Sequence, residues 1–295
     1  MEKSLTWREF VITRLIQASG YSAIIFVALI FFFLLREGLP ALGEAKPSEL
    51  LSIRWYPIEN YFGLLPLITG SLIVTLGAAL IAVPFGIGTA VYISEIAPRW
   101  MREILKPLVE LLGGLPSVVL GFLGILVISP YIRVILNLPT GLTAFTGSLL
   151  LGGIAIPTVV SVAEDALDAV PRAYREGAWA LGATKWQTIW RVTLPAAKSG
   201  VLTAIMLGVG RAIGETMTVM MVTGNAPVLA IKLGSLFSPV RTMTATIAAE
   251  MGETVHGDPH YCVLFILGIV LFVISSSINV ASDLIIKGVK KGNKA

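Results

Sequence analysis

The chain has 295 residues, of which 55% are hydrophobic and only 14% charged, and its mean hydropathy is +0.84. Soluble domains carry about a quarter of their residues charged, so these values exclude a single soluble domain and favour a polytopic helical membrane protein. Lysine and arginine outnumber aspartate and glutamate by 22 to 18, and the lone cysteine, Cys262, excludes an internal disulfide and a cysteine-rich metal site.

Six apolar blocks are long enough to cross a bilayer, because a helix needs about 20 apolar residues to span the hydrocarbon core. The first block follows a charged start and is not followed by a small-residue cleavage site, so we interpret it as a retained helix rather than a signal peptide. The predicted fold is therefore all-α, a polytopic membrane protein with six transmembrane helices. The predicted spans lie near residues 16–35, 67–93, 107–129, 144–163, 199–223 and 261–286.

The basic residues are concentrated on one side of the predicted membrane. Six spans place both termini on the same side, and the segments of that side hold fifteen of the 22 lysines and arginines. The opposite side holds six, and Arg211 lies within a span. The positive-inside rule therefore predicts that both termini are cytoplasmic. This bias also accounts for the net charge of +4, so no nucleic-acid partner is expected.

The longest predicted cytoplasmic connection, 164–198, has the pattern of a helix, a glycine turn and a second helix. Pro171 suits the first turn of a helix, and Gly182 suits the left-handed residue that ends one. Thr184 and Gln187 have the spacing of a capping box, which starts the second helix. Composition alone leaves two interpretations equally open, an interfacial helix pair and a protein-docking surface. The apolar side chains that the segment offers are Trp179, Leu181, Trp186, Ile189 and Trp190.

The spacing within this segment resembles the EAA loop of ABC importer permeases. In that loop Glu-Ala-Ala is followed after three residues by Gly, and after nine more by Ile, one residue and Leu-Pro. The matching residues here are Glu176, Gly177, Ala178, Gly182, Val192, Leu194 and Pro195, with Gly177 in place of the second-position Ala and Val192 in place of Ile.

The resemblance to this loop implies a type I ABC importer permease fold. It implies that a coupling helix at about 171–192 docks into a groove of a cytoplasmic ATPase subunit. Glu176 then binds the ATPase surface, and Gly182 permits the sharp reversal of the chain. The sequence contains neither Gly-Lys-Ser nor Gly-Lys-Thr, so the P-loop pattern is absent. No cofactor is therefore expected in this chain, and ATP and magnesium are expected on a partner ATPase.

The fifth predicted span carries an arginine at its midpoint. Arg211 costs roughly 2.5–3.5 kcal/mol at the bilayer centre on insertion scales, so it must face protein or water. Glu215 follows four residues later, about 6 Å along the same helix face, where the two charges would neutralise each other. One interpretation is a buried ion pair that only fixes packing. The favoured one is an anion path, because the planar fork of guanidinium donors matches a tetrahedral oxyanion.

The run Arg-Ala-Ile-Gly-Glu-Thr-Met at 211–217 resembles the PstC-type permease subunit of high-affinity phosphate importers. The similarity extends from about the second span to the C-terminus. It implies that Arg211, Glu215 and Thr216 lie on the substrate pathway and that the chain is a transport subunit rather than an enzyme. It also places the chain in the cell membrane and implies three partners: a PstA-type second permease, a PstB-type ATPase homodimer and an external PstS-type phosphate-binding protein.

Four other groups of residues are candidates for a role. Gly210 and Gly214, four residues apart, are predicted to allow close helix packing. Glu110 falls in the third predicted span, where it either lines the pathway or lies at the cytoplasmic interface. His256 and His260 flank Asp258, and we expect a solvated loop there rather than a metal site. Hydroxyl side chains of the second span either line a cavity or bond to helix carbonyls; these are Thr69, Ser71 and Thr75.

The domain organisation follows from the predicted spans and the resemblance. Residues 1–66 comprise an N-terminal cytoplasmic segment, the first transmembrane helix and an external loop. Residues 67–290 form the permease core, and 291–295 a cytoplasmic tail.

Three functions remain open at this point. The first is phosphate import, and the second is import of another oxyanion such as sulfate or molybdate, because the EAA-like loop does not specify the cargo. The third is an ion-coupled carrier or an intramembrane enzyme. An enzyme would need a nucleophile and base or a set of metal ligands, yet the predicted spans contain no histidine and their single cysteine lies at an edge.

Overall fold

The computed structural model describes residues 7–44 and 47–292, and most of these residues are helical. The α-helices are α1 (Trp7–Glu44), α2 (Pro47–Leu50), α3 (Leu65–Val91), α4 (Arg99–Gly113), α5 (Ser117–Leu123), α6 (Ser129–Ile135), α7 (Ala144–Asp168), α8 (Arg172–Ala180), α9 (Lys185–Thr188), α10 (Leu194–Ala196), α11 (Lys198–Gly214), α12 (Met217–Val222), α13 (Met243–Glu250) and α14 (Pro259–Gly292). Strands β1 (Trp55–Tyr56) and β2 (Tyr61–Phe62) form an antiparallel hairpin.

Short segments of other helix types join several of these elements. Wider π-helical turns extend or connect α-helices at Tyr92–Ile96, Gly124–Ile128 and Ile189–Thr193. Tighter 3₁₀ turns occur at Pro57–Glu59, inside the hairpin, and at Leu233–Phe237. We call the end of the bundle that carries α8 and α9 the α8 end, and the end that carries β1 and β2 the hairpin end.

Five helical stretches of the described residues are long and apolar enough to cross a membrane, and a sixth qualifies if a bent pair counts as one span. The bent pair joins Lys185–Ala196 to Lys198–Gly214 at an angle of 74°. Three stretches contain the spans predicted at 16–35, 67–93 and 144–163, and a fourth covers all but the last two residues of the span predicted at 261–286. The five stretches are Glu9–Ala41, Leu65–Ile96, Ser117–Ile135, Ala144–Asp168 and Pro259–Leu284.

The third span differs from the prediction. It occupies Ser117–Ile135 rather than 107–129, and the segment before it forms the separate helix α4. The cause is Pro116, because a proline disfavours helical geometry at the residue before it, so α4 ends at Gly113 and a new helix begins at Ser117. Glu110 therefore lies on α4, outside the third span, with an exposed side chain.

The fifth predicted span, 199–223, is also broken. Helix α11 ends at Gly214, and Glu215 adopts an extended backbone with ψ of 130°. The Glu215 carboxylate accepts a hydrogen bond from the backbone N–H of Thr218 at 3.3 Å, which satisfies one free donor at the start of α12. The predicted continuous helix is therefore two helices with a short extended link between them.

Helix α7 lies at the centre of the bundle and packs most extensively against α3 and then α11. Val159, which is fully buried on α7, sits between two glycines. A Cβ added at Gly86 of α3 would lie 2.7 Å from its side chain, and one added at Gly208 of α11 would lie 2.4 Å from it. The absence of side chains at these two positions thus lets three helices approach closely.

The predicted packing role of Gly210 and Gly214 is wrong within this chain. A Cβ added at either glycine meets no atom of another described segment within 4 Å, because that face of α11 is turned away from α7. The glycines of α11 that pack against α7 are Gly200, where an added Cβ would lie 2.4 Å from Ala166 Cβ, and Gly208, two residues before Gly210.

The first helix packs along the last. Phe31 stacks on Phe272 with ring centroids 4.9 Å apart, and Phe33 meets Phe265 edge-on at 5.6 Å. Most other large apolar side chains of α1 are exposed, which is the expected surface for a helix in contact with lipid.

A polar cluster ties the hairpin end together. The carboxylate of Glu250 accepts a hydrogen bond from Trp55 Nε1 at 3.3 Å, lies 2.8 Å from His260 Nε2 and pairs with Arg241 Nη1 at 2.8 Å. His260 is therefore mostly buried, and the expectation of a solvated loop is wrong for this residue, because Glu250 and the rings of Trp55 and Phe62 surround it. The described residues contain no cluster of three or more side chains that could hold a metal ion.

Burial alone would raise the pKa of Glu250, but the hydrogen bond with His260 and the charge of Arg241 outweigh it, so the pKa is lowered.

We expect Glu250→Gln to reduce the free energy of unfolding by about 1–3 kcal/mol at pH 7. A lowered carboxyl pKa stabilises the fold above the ordinary value of 4.5 and loses this contribution as pH falls through the lowered pKa. The gap between wild type and variant in thermal unfolding should therefore shrink at acidic pH, whereas the exposed control Glu253→Gln should be neutral throughout.

We also expect Gly208→Ala to destabilise the isolated subunit by about 1–3 kcal/mol, because the new methyl group collides with the buried Val159. Gly210→Ala on the same helix meets open space, so its higher helix propensity should make it neutral or stabilising by up to about 1 kcal/mol. Thermal unfolding in detergent measures both variants. Equal effects at the two positions would contradict this account of the packing.

Candidate functional site

The guanidinium of Arg211 is held by two neighbouring helices at the end of α11. Its Nη1 donates a hydrogen bond to Thr158 Oγ1 of α7 at 2.8 Å, and its Nη2 donates one to the carbonyl oxygen of Gly113, the last residue of α4, at 3.0 Å. The arginine side chain is exposed on the surface of this chain, whereas the next residue, Ala212, is buried. Arg211 therefore faces out of the chain and is oriented by helices α4 and α7.

Both acceptors of Arg211 are electrically neutral, so within the described part of the chain no carboxylate pairs with its positive charge. Among the ion pairs of residues 7–44 and 47–292, none joins Arg211 to Glu215, and the predicted neutralising pair is therefore wrong in this conformation. The physical reason is the end of α11 at Gly214, which removes Glu215 from the helical face that the spacing of four assumed. The C-terminal end of α4 carries the negative end of a helix dipole, which stabilises a cation without neutralising it.

Glu215, which has extended backbone, and Thr216 link α11 to α12, and both are half-buried. The backbone carbonyl of Glu215 accepts a hydrogen bond from Thr244 Oγ1 at 3.0 Å, and the Thr216 hydroxyl donates to the carbonyl of Gly214 at 3.2 Å. Glu215 also borders a narrow cavity rich in hydroxyl groups. Its polar lining comprises Ser71, Thr75, Glu215, Thr242 and Thr244.

The hydroxyl residues of α3 divide between the two roles left open by the sequence. Thr69 donates to the carbonyl of Leu65 at 2.8 Å and accepts from the N–H of Ala230, which is the carbonyl-bonding alternative. Ser71 accepts from the N–H of Met243 at 2.9 Å and lines the cavity together with Thr75.

The helix–turn–helix predicted around Gly182 is confirmed. Helix α8 ends before Gly182, whose φ of +79° is the left-handed geometry that glycine tolerates best. Thr184 and Gln187 form the predicted capping box, with Thr184 N–H donating to Gln187 Oε1 at 2.9 Å and Gln187 N–H donating to Thr184 Oγ1 at 3.3 Å. Pro171 precedes α8 as its N-cap residue, one position earlier than the first helical turn.

An aromatic and aliphatic surface, which we call the aromatic patch, projects from α8 and α9. Trp186 and Trp190 meet edge-on with centroids 6.0 Å apart, and Leu181 is 90% exposed. Ile189 was expected in this surface but is only 1% exposed, because it turns inward into the core around α7. The patch consists of Trp179, Leu181, Trp186 and Trp190.

Helix α8 is fastened to the bundle by Arg175, a residue that the sequence did not single out. Arg175 pairs with Glu95 at 2.6 Å, and the two side chains are only 13% and 8% exposed. Its guanidinium also donates to the carbonyls of Val170 at 2.7 Å and Leu167 at 2.9 Å. No local signal in the sequence connects Arg175 with Glu95, because they lie 80 positions apart.

Helix α4 is joined to α7 by further ion pairs. Lys106 Nζ lies 2.6 Å from Glu164 and 3.1 Å from Asp165, and Arg102 lies 3.6 Å from Asp168. Glu164 is 2% exposed, so this pair is almost fully removed from water on the acidic side. The hydrogen bond with Glu164 outweighs desolvation and raises the pKa of Lys106 above its ordinary value, which keeps the lysine charged at any physiological pH.

Comparisons with known proteins agree on one family. The family described as binding-protein-dependent transport system inner membrane component matches residues 82–291. The chain is 41% identical over 251 residues to the Bacillus subtilis (strain 168) protein named Probable ABC transporter permease protein YqgH, covering 83% of this chain and 80% of the relative. It is 34% identical to the phosphate transport system permease protein PstC of Mesorhizobium japonicum, covering 92% and 90%.

The fold has counterparts among solved structures. A bacterial alginate ABC transporter, crystallised with its periplasmic protein bound to an alginate pentasaccharide, aligns with a TM-score of 0.62 at 16% identity. The alignment covers 95% of this chain and 96% of the other. This likeness confirms the predicted all-α permease fold, and its low sequence identity limits it to the fold.

Proposed function

Because this chain belongs to the binding-protein-dependent transport system inner membrane component family, we propose that it is the permease subunit of an ATP-driven importer of inorganic phosphate. It is a multi-pass membrane protein and a transport subunit rather than an enzyme, and an importer of this kind works with a partner ATPase and an external binding protein. The observation that carries the cargo assignment is the exposed guanidinium of Arg211, which is oriented by neutral acceptors and left with its full charge.

The geometry around Arg211 suits transient binding of a tetrahedral anion. A guanidinium carries five N–H donors, and Thr158 and Gly113 occupy only two of them. The remaining donors keep the planar arrangement that matches two oxygens of an oxyanion. An arginine already paired with a carboxylate would belong to a pair with no net charge, so the separation from Glu215 favours a substrate role.

We assign supporting roles to the two residues that follow. Thr216 contributes a hydroxyl to the substrate pathway, and in this conformation its O–H donates to the Gly214 carbonyl. Glu215 keeps the link extended, through its carboxylate at the start of α12 and its carbonyl to Thr244, and thereby separates the negative charge from the arginine.

The α8 end supplies the surface for the ATPase. The aromatic patch and the exposed Glu176 lie on a short helix pair, which Arg175 holds rigidly to the bundle. We propose that Glu176, Gly177 and Ala178 present the helix face, that Gly182 sets the reversal, and that Leu194 and Pro195 lead into α11. ATP and magnesium are then bound by the partner ATPase, with no cofactor in this chain.

The finer assignments are also proposals. The partners are a PstA-type permease, a PstB-type ATPase homodimer and a PstS-type phosphate-binding protein. Both termini are cytoplasmic, which the bias of basic residues supports. Residues 67–290 then form the permease core, after an N-terminal segment, first helix and external loop at 1–66 and before a tail at 291–295.

Reconstitution of the four components in proteoliposomes tests the cargo. We expect Arg211→Gln to assemble normally and to lower phosphate uptake about 100-fold, because the charge-assisted contact with the anion is lost. Arg211→Lys keeps the charge without the planar fork and should retain intermediate uptake. Uptake near the wild-type level in Arg211→Gln would overturn the anion-path assignment, and inhibition of uptake by sulfate as strong as by unlabelled phosphate would favour a general oxyanion permease.

The turn at Gly182 gives a second test. Valine at φ of +79° costs about 1–2 kcal/mol in backbone strain, although a Cβ added at Gly182 meets no atom of another described segment within 4 Å. We expect Gly182→Val to open the turn and to abolish stimulation of the ATPase by phosphate-loaded binding protein. Gly182→Asn is the matched control, because asparagine tolerates left-handed geometry, and it should retain most of the stimulation. Unchanged stimulation in Gly182→Val would contradict the docking role.

A further inference from the structure

Helices α4 and α7 run antiparallel and meet at three levels with a constant register. At the first level Arg102 lies 3.6 Å from Asp168, and at the second Lys106 lies 2.6 Å from Glu164. At the third, a Cβ added at Gly113 would lie 3.3 Å from Pro157 Cβ. From the first level to the second, the residue number rises by four on α4 and falls by four on α7. From the second level to the third, it rises by seven on α4 and falls by seven on α7.

The third level holds both acceptors of Arg211. Gly113 supplies the carbonyl oxygen, and Thr158, the neighbour of Pro157, supplies the hydroxyl. A slip of α4 along α7 by one residue would move the carbonyl by about 1.5 Å relative to the hydroxyl. A hydrogen bond of 2.8 or 3.0 Å does not survive such a displacement, so the orientation of Arg211 depends on the register of these two helices.

The C-terminal end of α7 is hydrogen-bonded to α8, the helix proposed to face the ATPase. Arg175 of α8 donates to the carbonyls of Leu167 and Val170, just beyond Glu164, and pairs with Glu95 in the π-helical turn that follows α3. A displacement of α8 therefore moves the C-terminal end of α7 directly. Helix α4 moves with α7 only if the contacts between these two helices are maintained.

We propose that Lys106 and Glu164 are positioning residues for Arg211. Their ion pair fixes the register of α4 on α7, so both helices follow α8 as one unit and carry the two acceptors of the arginine together. The proposal rests on the proposed transport function and adds the residues through which the docking surface controls the anion site.

Several observations single out this pair among the three levels. The side chain of Glu164 is 3% exposed and lies 2.6 Å from Lys106, whereas its counterpart at the first level, Asp168, is 41% exposed and lies 3.6 Å from Arg102. The third level is a contact between a glycine and a proline, which resists sliding only weakly. Asp165 also faces Lys106 but is exposed, and the raised pKa of Lys106 agrees with a strong bond to Glu164.

Removal of the whole pair is the first experiment. We expect the double variant K106M/E164L, which leaves no buried charge unpaired, to assemble and hydrolyse ATP but to transport at least about tenfold fewer phosphate ions per ATP. The matched control is R99M/E103Q, which removes an exposed ion pair from the same helix and should leave this ratio unchanged. A ratio equal to wild type in K106M/E164L would overturn the proposal.

A covalent lock provides a test that does not depend on the stability of that variant. A Cβ added at Gly113 would lie 3.3 Å from Pro157 Cβ, slightly closer than the roughly 3.5–4.5 Å of a disulfide, so G113C/P157C needs only a small shift to form one. Gly113→Cys keeps the backbone carbonyl that Arg211 uses, and the pair can be built in a Cys262→Ala background that lacks other cysteines. If α4 and α7 move as one unit, the oxidised protein keeps the phosphate uptake of the reduced protein, and oxidation restores the transport ratio when the lock is combined with K106M/E164L. Loss of uptake on oxidation, reversed by a reductant, would show that the helices slide and would overturn the proposal.

Failure of the inference is distinguishable from failure of the proposed function. Wild-type proteoliposomes that take up no labelled phosphate would refute the cargo assignment. Wild-type uptake combined with an unchanged ratio in K106M/E164L would refute only the positioning role.

Discussion

An uncompensated guanidinium in a predominantly apolar chain is the constraint on which the site depends. A buried or membrane-facing guanidinium needs hydrogen-bond acceptors, but a carboxylate acceptor would neutralise the positive charge that binds an anion. The fold supplies neutral acceptors instead, because two helices end beside Arg211. Helix α4 stops at Gly113 and exposes a carbonyl, and α11 stops at Gly214 and removes Glu215 from the arginine. The interruptions at Pro116 and Glu215, which shorten the apparent spans, are therefore part of the site.

The close packing around α7 explains how such an interrupted bundle stays ordered. Val159 fills the space left by glycines on α3 and α11, so the three helices share one tightly packed centre. One residue before Val159, Thr158 reaches the arginine, and five residues after it, Glu164 reaches Lys106. The same helix thus carries the packing, the acceptor and the ion pair, which makes α7 the element through which a displacement at the α8 end reaches the pathway.

The features of the fold that depend on neighbouring residues are predictable from the sequence. Long apolar blocks predicted four of the spans well, and the geometry of Gly182 and the capping box of Thr184 and Gln187 follow from neighbouring residues alone. Features that depend on partners distant in the chain are not predictable in this way. Hydropathy does not detect the break at Pro116, so it predicts the third span too early in the chain. The spacing of Arg211 and Glu215 predicts a shared face only for an unbroken helix. Ile189, His260 and Gly208 owe their roles to neighbours from other helices, which periodicity in one segment does not reveal.

The pairing of α1 with α14 has a consequence for biosynthesis. Phe31 and Phe33 find their aromatic partners only near the end of the chain, so the first hydrophobic segment enters the bilayer long before its neighbour has been translated. Until then this segment is surrounded by lipid or by the insertion machinery. A truncation before the last span would leave α1 without its packing partner α14 and would expose an apolar surface to membrane quality control.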